Sequence, residues 1–183
     1  MYGSARGGYP TGLKRMPLMS LAVLLLILDL VALWFALNGA PFVPTKTAGV
    51  EKILECCEVV PGMKAADIGA GDGRIVIALA KAGAEAHGYE INPLLVWIAR
   101  RKIRKAGLEG KAFIHCQDMW RVDYSQYRAV TLFGTYHIMR RLERKLRREL
   151  KPGARAVSLA FEFPKWRFTR KLANVFVYVQ DAA

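Results

Sequence analysis

A chain of 183 residues with 53% hydrophobic content supports one domain with a sizeable core and leaves room for only a short addition to it. Its net charge of +13 suits an anionic partner, either a nucleic acid or an anionic membrane surface. Three cysteines (Cys56, Cys57, Cys116) and three histidines (His87, His115, His137) lack disulfide, redox or metal spacing, so free thiols in a reducing compartment are expected, and no metal site.

Residues 1–16 form an N-terminal tail. The segment Pro17 to Leu37, PLMSLAVLLLILDLVALWFAL, is 21 residues long with one charge, which is the length needed to cross a bilayer core. It shows no polar face. Asp29 costs roughly 3 kcal/mol at the centre of a span, against about 0.3 to 0.6 kcal/mol gained by each Leu, Ile, Val and Phe, so insertion wins. Residues 17–38 therefore read as an uncleaved transmembrane anchor, with a helix buried in a partner or lying in the membrane interface as the main alternative; a signal peptide is disfavoured, since its apolar region spans only about 7 to 15 residues. Arg6, Lys14 and Arg15 before the segment outnumber Lys46 and Lys52 after it, and by that count the N-terminus is cytoplasmic. The cofactor argued below is made in the cytosol, and that consideration decides. The catalytic domain is expected on the cytoplasmic side, or the matrix side if mitochondrial.

Residues 41–183 read as a single α/β domain behind the linker PFVPT. A helix is expected at about 47 to 60, a strand ending at Asp67, a helix from Asp72 to Ala82 and EAHGYE as strand. Asn92 to Ala106 follows as helix, then KAFIHC and RAVTLF as strands, Tyr136 to Leu150 as a long basic helix, ARAVSLAF as strand and NVFVYVQ as the last strand. Strands alternating with helices predict a parallel sheet covered on both faces, with a final antiparallel strand allowed. The charge gathers in two of the helices, at ARRKIRKAG and MRRLERKLRRELK. These runs read either as solvated faces or as contacts to lipid headgroups. No aromatic-interleaved platform accompanies them, which disfavours nucleic acid as a partner.

The stretch ADIGAGDGRIV, Ala66 to Val76, is a glycine-rich strand-to-helix turn, and such turns bring backbone close to a ligand at the carboxyl edge of a sheet. A dinucleotide fingerprint needs its third glycine at position 74, where Arg74 stands; a P-loop needs Gly-Lys-Ser/Thr, which is missing. Three acids end successive strands. Asp67 before the glycines suits a cationic amino group, Glu90 can accept both hydroxyls of a ribose, and Asp118 can accept from an adenine amino group. The ligand asking for that order is S-adenosylmethionine.

DIGAGDGRIV, GYEINP, PFVPT and ELKPGARAVSLAFEFPKW, in this order, resemble the seven-β-strand (class I) protein-lysine methyltransferases. The likeness is to the group holding the mitochondrial ATP synthase c-subunit enzyme and broad-specificity archaeal relatives, and it covers about Pro41 to the C-terminus. The resemblance implies a Rossmann-like sheet with helices on both faces. It assigns Asp67, Gly69 and Gly71 to the methionine part, Glu90 to the ribose, and Asp118 with Met119 to the adenine, with Asp72 and Ile91 completing the cofactor-binding set. Thr45 and its linker would close over the cofactor. Two features depart from the family's pattern: the short region after Trp166 leads to the expectation that the usual final helix and sixth strand are reduced or missing, and TLFGTYHI lacks the Asn-Pro-Pro-Tyr signature of enzymes that methylate adenine amines or amides. For an apolar lysine channel the candidates are Phe42, Phe133, Tyr136, Phe163 and Trp166, with Glu162 to orient the amine. The function implied is methyl transfer to a lysine of a membrane or membrane-proximal protein. Alternatives are methylation of a membrane small molecule, such as a quinone precursor or lipid headgroup, and cofactor binding without turnover.

Overall fold

The computed structural model describes residues 47–181 and, ahead of them, 22–27 and 29. Residues 22–27 are helical and exposed. Among the described residues no helix is long and apolar enough to cross a membrane; most of the expected anchor at 17–38, and Phe42 and Thr45, lie outside them.

From residue 47 the chain runs α1 (Thr47–Cys57), β1 (Lys64–Ile68), α2 (Arg74–Lys81), β2 (Glu85–Glu90), α3 (Pro93–Lys105), β3 (Ala112–Cys116), a single 3-10 turn (Met119–Arg121), β4 (Ala129–Leu132), α4 (Tyr136–Glu149), β5 (Arg155–Leu159), β6 (Arg170–Leu172) and β7 (Val175–Val179). The helix expected to reach residue 60 stops at Cys57, where Glu58 turns to φ 47. The α3 boundary is set by Asn92, whose side chain accepts from the Leu94 and Leu95 N–H groups, with Pro93 at the first helical position.

Seven strands form one sheet in the order β3-β2-β1-β4-β5-β7-β6. The first five are parallel to their neighbours and β7 is antiparallel to both β5 and β6. The sixth strand is thus present, at three residues, and among the described residues no helix follows α4. Residue alternation along the strands distributes the core between the two faces. Val175 and Val177 of β7 join Ile53, Leu79, Val96 and Ile103 under α1 to α3. Phe176 and Tyr178 instead join Leu142 and Leu146 of α4, together with Tyr89 and Tyr124. Each fully buried Leu or Val contributes about 1.5 to 3 kcal/mol. Cys56 and Cys57 are buried in the first face as free thiols.

This layering puts the two basic helices on opposite faces of the sheet. It also returns every parallel strand to the same carboxyl edge, since Ile68 pairs with Tyr89 and Leu132, and Leu132 with Ser158.

Candidate cofactor and acceptor site

The loop after β1 crosses the end of β2, where the Gly69 and Ala70 N–H groups both donate to the Tyr89 carbonyl at 2.9 and 3.0 Å. Gly69 has φ 72, and a Cβ built on it meets nothing within 4 Å, so the chain here opens onto free space. Beneath the loop, Gly88 admits no side chain. A Cβ there would stand 2.6 Å from Ala70 Cβ and Ile114 Cδ1 and 2.8 Å from Val76 Cγ2. This absence of a side chain lets α2 start directly over β2.

Glu90 locks the loop. One carboxylate oxygen accepts from the Gly71 N–H at 3.0 Å and the other from the Asn92 N–H at 2.8 Å. Gly71, at φ 54, takes the left-handed conformation that aims its N–H at that acid.

Asp67 lies below, only 2% exposed. The Thr131 hydroxyl of the neighbouring strand donates to its Oδ1 at 2.6 Å. Burial pushes the Asp67 carboxyl up to about 7; the Thr131 hydrogen bond pulls it down, and the Glu90 and Asp72 carboxylates push it further up. A buried acid with no cation paired to it among the described residues, beside an open glycine loop, is a place where a positively charged ligand group gains a partner.

Asp72 has partners already. Arg74 Nε and Nη2 reach its two oxygens at 2.9 and 2.7 Å, and Lys102 Nζ of α3 reaches Oδ2 at 2.5 Å. Burial raises its pKa, but these two cations outweigh that effect and hold it at about 2. The structure thus makes Asp72 a clamp between the loop and α3.

Ile91 follows Glu90, and its carbonyl lies 4.0 Å from Cys116 Sγ. Asp118 caps the turn after β3 through the Trp120 N–H at 3.0 Å. Met119 is half-buried against the second core, and its carbonyl accepts from the Tyr124 hydroxyl at 3.2 Å. Asp67, Gly69, Gly71, Asp72, Glu90, Ile91, Asp118 and Met119 thus sit at the carboxyl ends of three adjacent strands or in the turns that follow them.

The proposed channel residues divide. Phe133 is half-buried after β4, edge-on to Phe161 with ring centres 6.0 Å apart. Tyr136 is 79% exposed at the start of α4. Glu162 is exposed, 4.0 Å from Lys171 Nζ. Phe163 and Trp166 are core residues: their rings stack at 5.7 Å, and both pack on Tyr178, whose hydroxyl accepts from the Phe163 N–H at 2.9 Å. Both side chains are buried, Trp166 at 7% and Phe163 at 4% exposure, so the expected channel loses these two walls to packing.

Sequence reasoning missed three features. Thr131 is the one polar residue in the buried strand AVTL, and its hydroxyl beside β1 was the available signal. Glu143, read as one acid in a basic run, is 4% exposed and accepts from the Lys165 N–H at 3.0 Å, tying the FEFPKW segment to α4. His87 and His115, which looked scattered, meet at 3.0 Å on neighbouring strands.

A parallel sheet of this strand order with an antiparallel β7, and an acid-glycine loop answered by an acid at the end of β2, defines the class I methyltransferases. Among solved structures, an RNA methyltransferase from Salinibacter ruber in complex with S-adenosyl-L-homocysteine superposes with a TM-score of 0.70 at 33% identity, over 75% of this chain and 92% of that one. The chain belongs to the family described as the ANTKMT methyltransferase domain, whose model matches residues 67–170.

Among its relatives, the human ATP synthase c-subunit lysine N-methyltransferase is 45% identical over 69% of this chain and 54% of its own length. The mouse adenine nucleotide translocase lysine N-methyltransferase is 39% identical over 69% of this chain and 56% of its own. A protein-lysine N-methyltransferase of Saccharolobus islandicus is 39% identical over 69% of this chain and 80% of its own. The chain spans about half the length of the vertebrate relatives it matches.

Proposed function

We propose that this protein transfers methyl groups from S-adenosylmethionine to the ε-amine of a lysine in a membrane or membrane-proximal protein. The observation that carries the cofactor is the buried Asp67 set beneath an open glycine loop locked by Glu90. Lysine as acceptor is supported by the names of relatives that share 39 to 45% of aligned residues.

The residues present fit that cofactor. Asp67 offers a charge to the α-amino group, the loop at Gly69 leaves the space, and Glu90 stands at the end of β2 for ribose hydroxyls, its lone pairs only partly used by Gly71 and Asn92. Asp118 and Met119 close the adenine end. When bound, the cofactor supplies an electrophilic methyl on a sulfonium. The chain's own task is positioning: the amine lone pair must lie in line with the breaking S–C bond, which needs no nucleophilic residue. The lysine nitrogen forms the new N–C bond as the S–C electron pair leaves with sulfur. Lysine must first lose its proton, and with a reference pKa near 10.4 that loss is helped by an apolar approach and a neighbouring positive charge. Phe133 and Phe161 supply apolar surface at the right edge, and Tyr136 stands exposed at its rim.

The apolar segment Pro17 to Leu37 supports an anchor at 17–38 with the domain on the cytoplasmic or matrix side. A tether of that kind makes a membrane-proximal acceptor the economical choice. Incubating the purified protein with methyl-labelled cofactor and separated protein, lipid and RNA fractions of a membrane extract tests this reading. Label on lysine in the protein fraction is the expected result. Label confined to lipid would support the small-molecule alternative, and label confined to RNA would overturn the acceptor assignment.

A further inference from the structure

The two basic helices are unequal. In α3, Arg100 points its Nε and Nη2 at the Ile114 carbonyl, at 3.0 and 2.7 Å, and Lys102 is held by Asp72. Arg101 lies over the Trp97 ring at 5.7 Å. Arg100 and Lys102 are therefore employed in holding the fold together, while Arg101, Arg104 and Lys105 are exposed.

In α4 the exposed cations are gathered on one face. Arg140, Arg141, Arg144, Arg147 and Arg148 are all exposed, and at 100° per residue they fall within an arc of about 120°. The acids of the helix are turned away from that arc. Glu143 is 4% exposed and engaged with the Lys165 N–H, while Glu149 accepts from the Tyr124 N–H at 3.1 Å and from Lys145 at 2.7 Å. Arg147 and Arg148 reach these two acids only at 4.0 and 3.5 Å. Arg140, Arg144 and Lys165 also line one open cavity of about 310 Å³, whose acid is that same engaged Glu143. Three residues separate the end of β4 from the start of α4, at the carboxyl edge that holds Gly69 and Phe133, and the 14 residues of α4 run about 21 Å from there.

We infer that the arginine face of α4, with Lys165, is the surface that rests on anionic lipid headgroups and sets the acceptor site at the bilayer. This rests on the reading of the chain as a membrane-tethered enzyme, and deepens it by naming which helix meets the membrane. A flat anionic surface matches a single straight stripe of cations. Single-stranded RNA would call for a series of aromatic rings open to stacking; along this face Trp120 is covered by the Arg141 guanidinium at 3.9 Å, and Tyr136 at the start of α4 is an exposed ring, so RNA binding is kept as an outcome of the test.

The test is sedimentation of the full-length chain with vesicles of pure phosphatidylcholine and with vesicles carrying a fifth phosphatidylglycerol, at low and high salt. Apolar insertion of residues 17–38 contributes to both compositions, so the increment caused by phosphatidylglycerol reports the electrostatic contact. A triple variant in α4 (Arg140→Gln, Arg144→Gln, Arg147→Gln) is compared with one in α3 (Arg101→Gln, Arg104→Gln, Lys105→Gln) that removes the same charge. At about 1 kcal/mol per basic residue near the surface, the α4 variant should lose on the order of tenfold to a hundredfold of the increment. The α3 variant should keep nearly all of it. Equal losses in both would reduce the effect to net charge and overturn the proposal, as would wild-type binding by the α4 variant. Preferential binding of polyuridylate over anionic vesicles, lost in the α4 variant, would overturn it in favour of RNA. Circular dichroism melts of both variants establish that they are folded, and because no methyl transfer is measured, failure here leaves the methyltransferase reading standing.

Discussion

The Gly71 N–H donates to Glu90 Oε2 at 3.0 Å across 19 residues of sequence, so the acid that faces the ribose position is also the acid that shapes the glycine loop. Substitution of Glu90 thus acts twice. Glu90→Ala should weaken S-adenosylmethionine binding by about 1.5 to 3 kcal/mol, the range for hydrogen bonds to a charged group. Glu90→Gln, although isosteric, should be nearly as damaging: one end of the amide becomes an NH2 that must face either the Gly71 or the Asn92 N–H, donor against donor. Calorimetric titration of both variants checks this, and near-wild-type affinity in Glu90→Gln would show that the loop does not need the second acceptor.

Asp67 makes binding depend on pH. Its folded pKa, about 7, lies above the ordinary value of 3.8, so the apoprotein keeps a proton there that the unfolded chain releases. That contribution to stability is fully present below pH 4 and is lost as pH rises through 7. A cationic ligand group favours the ionised form, which reverses the balance. Binding at pH 6 should release about one proton, and at pH 8 almost none. Calorimetry in buffers of different ionisation enthalpy measures the release directly. Thr131→Val removes the hydrogen bond that lowers the Asp67 pKa, so the pH at which affinity levels off should move upward in that variant.

The loop's identity was legible because it is local: Asp67, Gly69 and Gly71 lie within five residues, and Glu90 ends the next strand. The strands were legible too, since EAHGYE and NVFVYVQ alternate or run apolar at the right length. What could not be read was which polar side chains spend their charge on the fold. Asp72 is an example: Lys102, 30 residues away, is brought beside it by α3 packing, a pairing that no local pattern announces. Trp166 and Phe163 looked like channel walls because aromatic composition does not distinguish a lining from a core. Their burial is decided by Tyr178 on the last strand, which no local pattern connects to them.

Trp166 therefore belongs to stability. Trp166→Ala should cost about 3 to 5 kcal/mol, as truncation of a buried aromatic does, and lower the melting temperature markedly. Trp166→Phe keeps most of the contact with Phe163 and Tyr178, and should lower the melting temperature modestly while leaving KM for the acceptor unchanged. A raised KM with unchanged melting temperature in Trp166→Phe would return the residue to the acceptor channel.

The apolar N-terminal segment yields the last prediction. Ten Cα steps separate Leu37 from Thr47, where α1 begins, and an extended chain covers at most about 3.5 Å per step, so the domain is held within roughly 35 Å of the end of the apolar run. If residues 17–38 insert in a bilayer, the acceptor site searches a thin layer next to the headgroups, and lysines in that layer meet it at a high effective concentration. Tethering of this kind does not alter the cofactor pocket, all of whose described residues lie beyond Thr47. Deleting residues 1–38 should leave S-adenosylmethionine affinity within twofold of the full chain by calorimetry, an allowance reflecting ordinary surface-level changes of about 0.5 kcal/mol or less. It should also leave methylation of detergent-solubilised membrane protein largely intact, because in detergent both forms find the acceptor by diffusion. Methylation in intact membranes should fall sharply, since the truncated chain keeps only the electrostatic contact made by α4. Quantitative mass spectrometry of lysine methylation in membranes from cells expressing each form reads the difference. Equal methylation by the two forms in cells would mean that the segment does not deliver the enzyme to its acceptor.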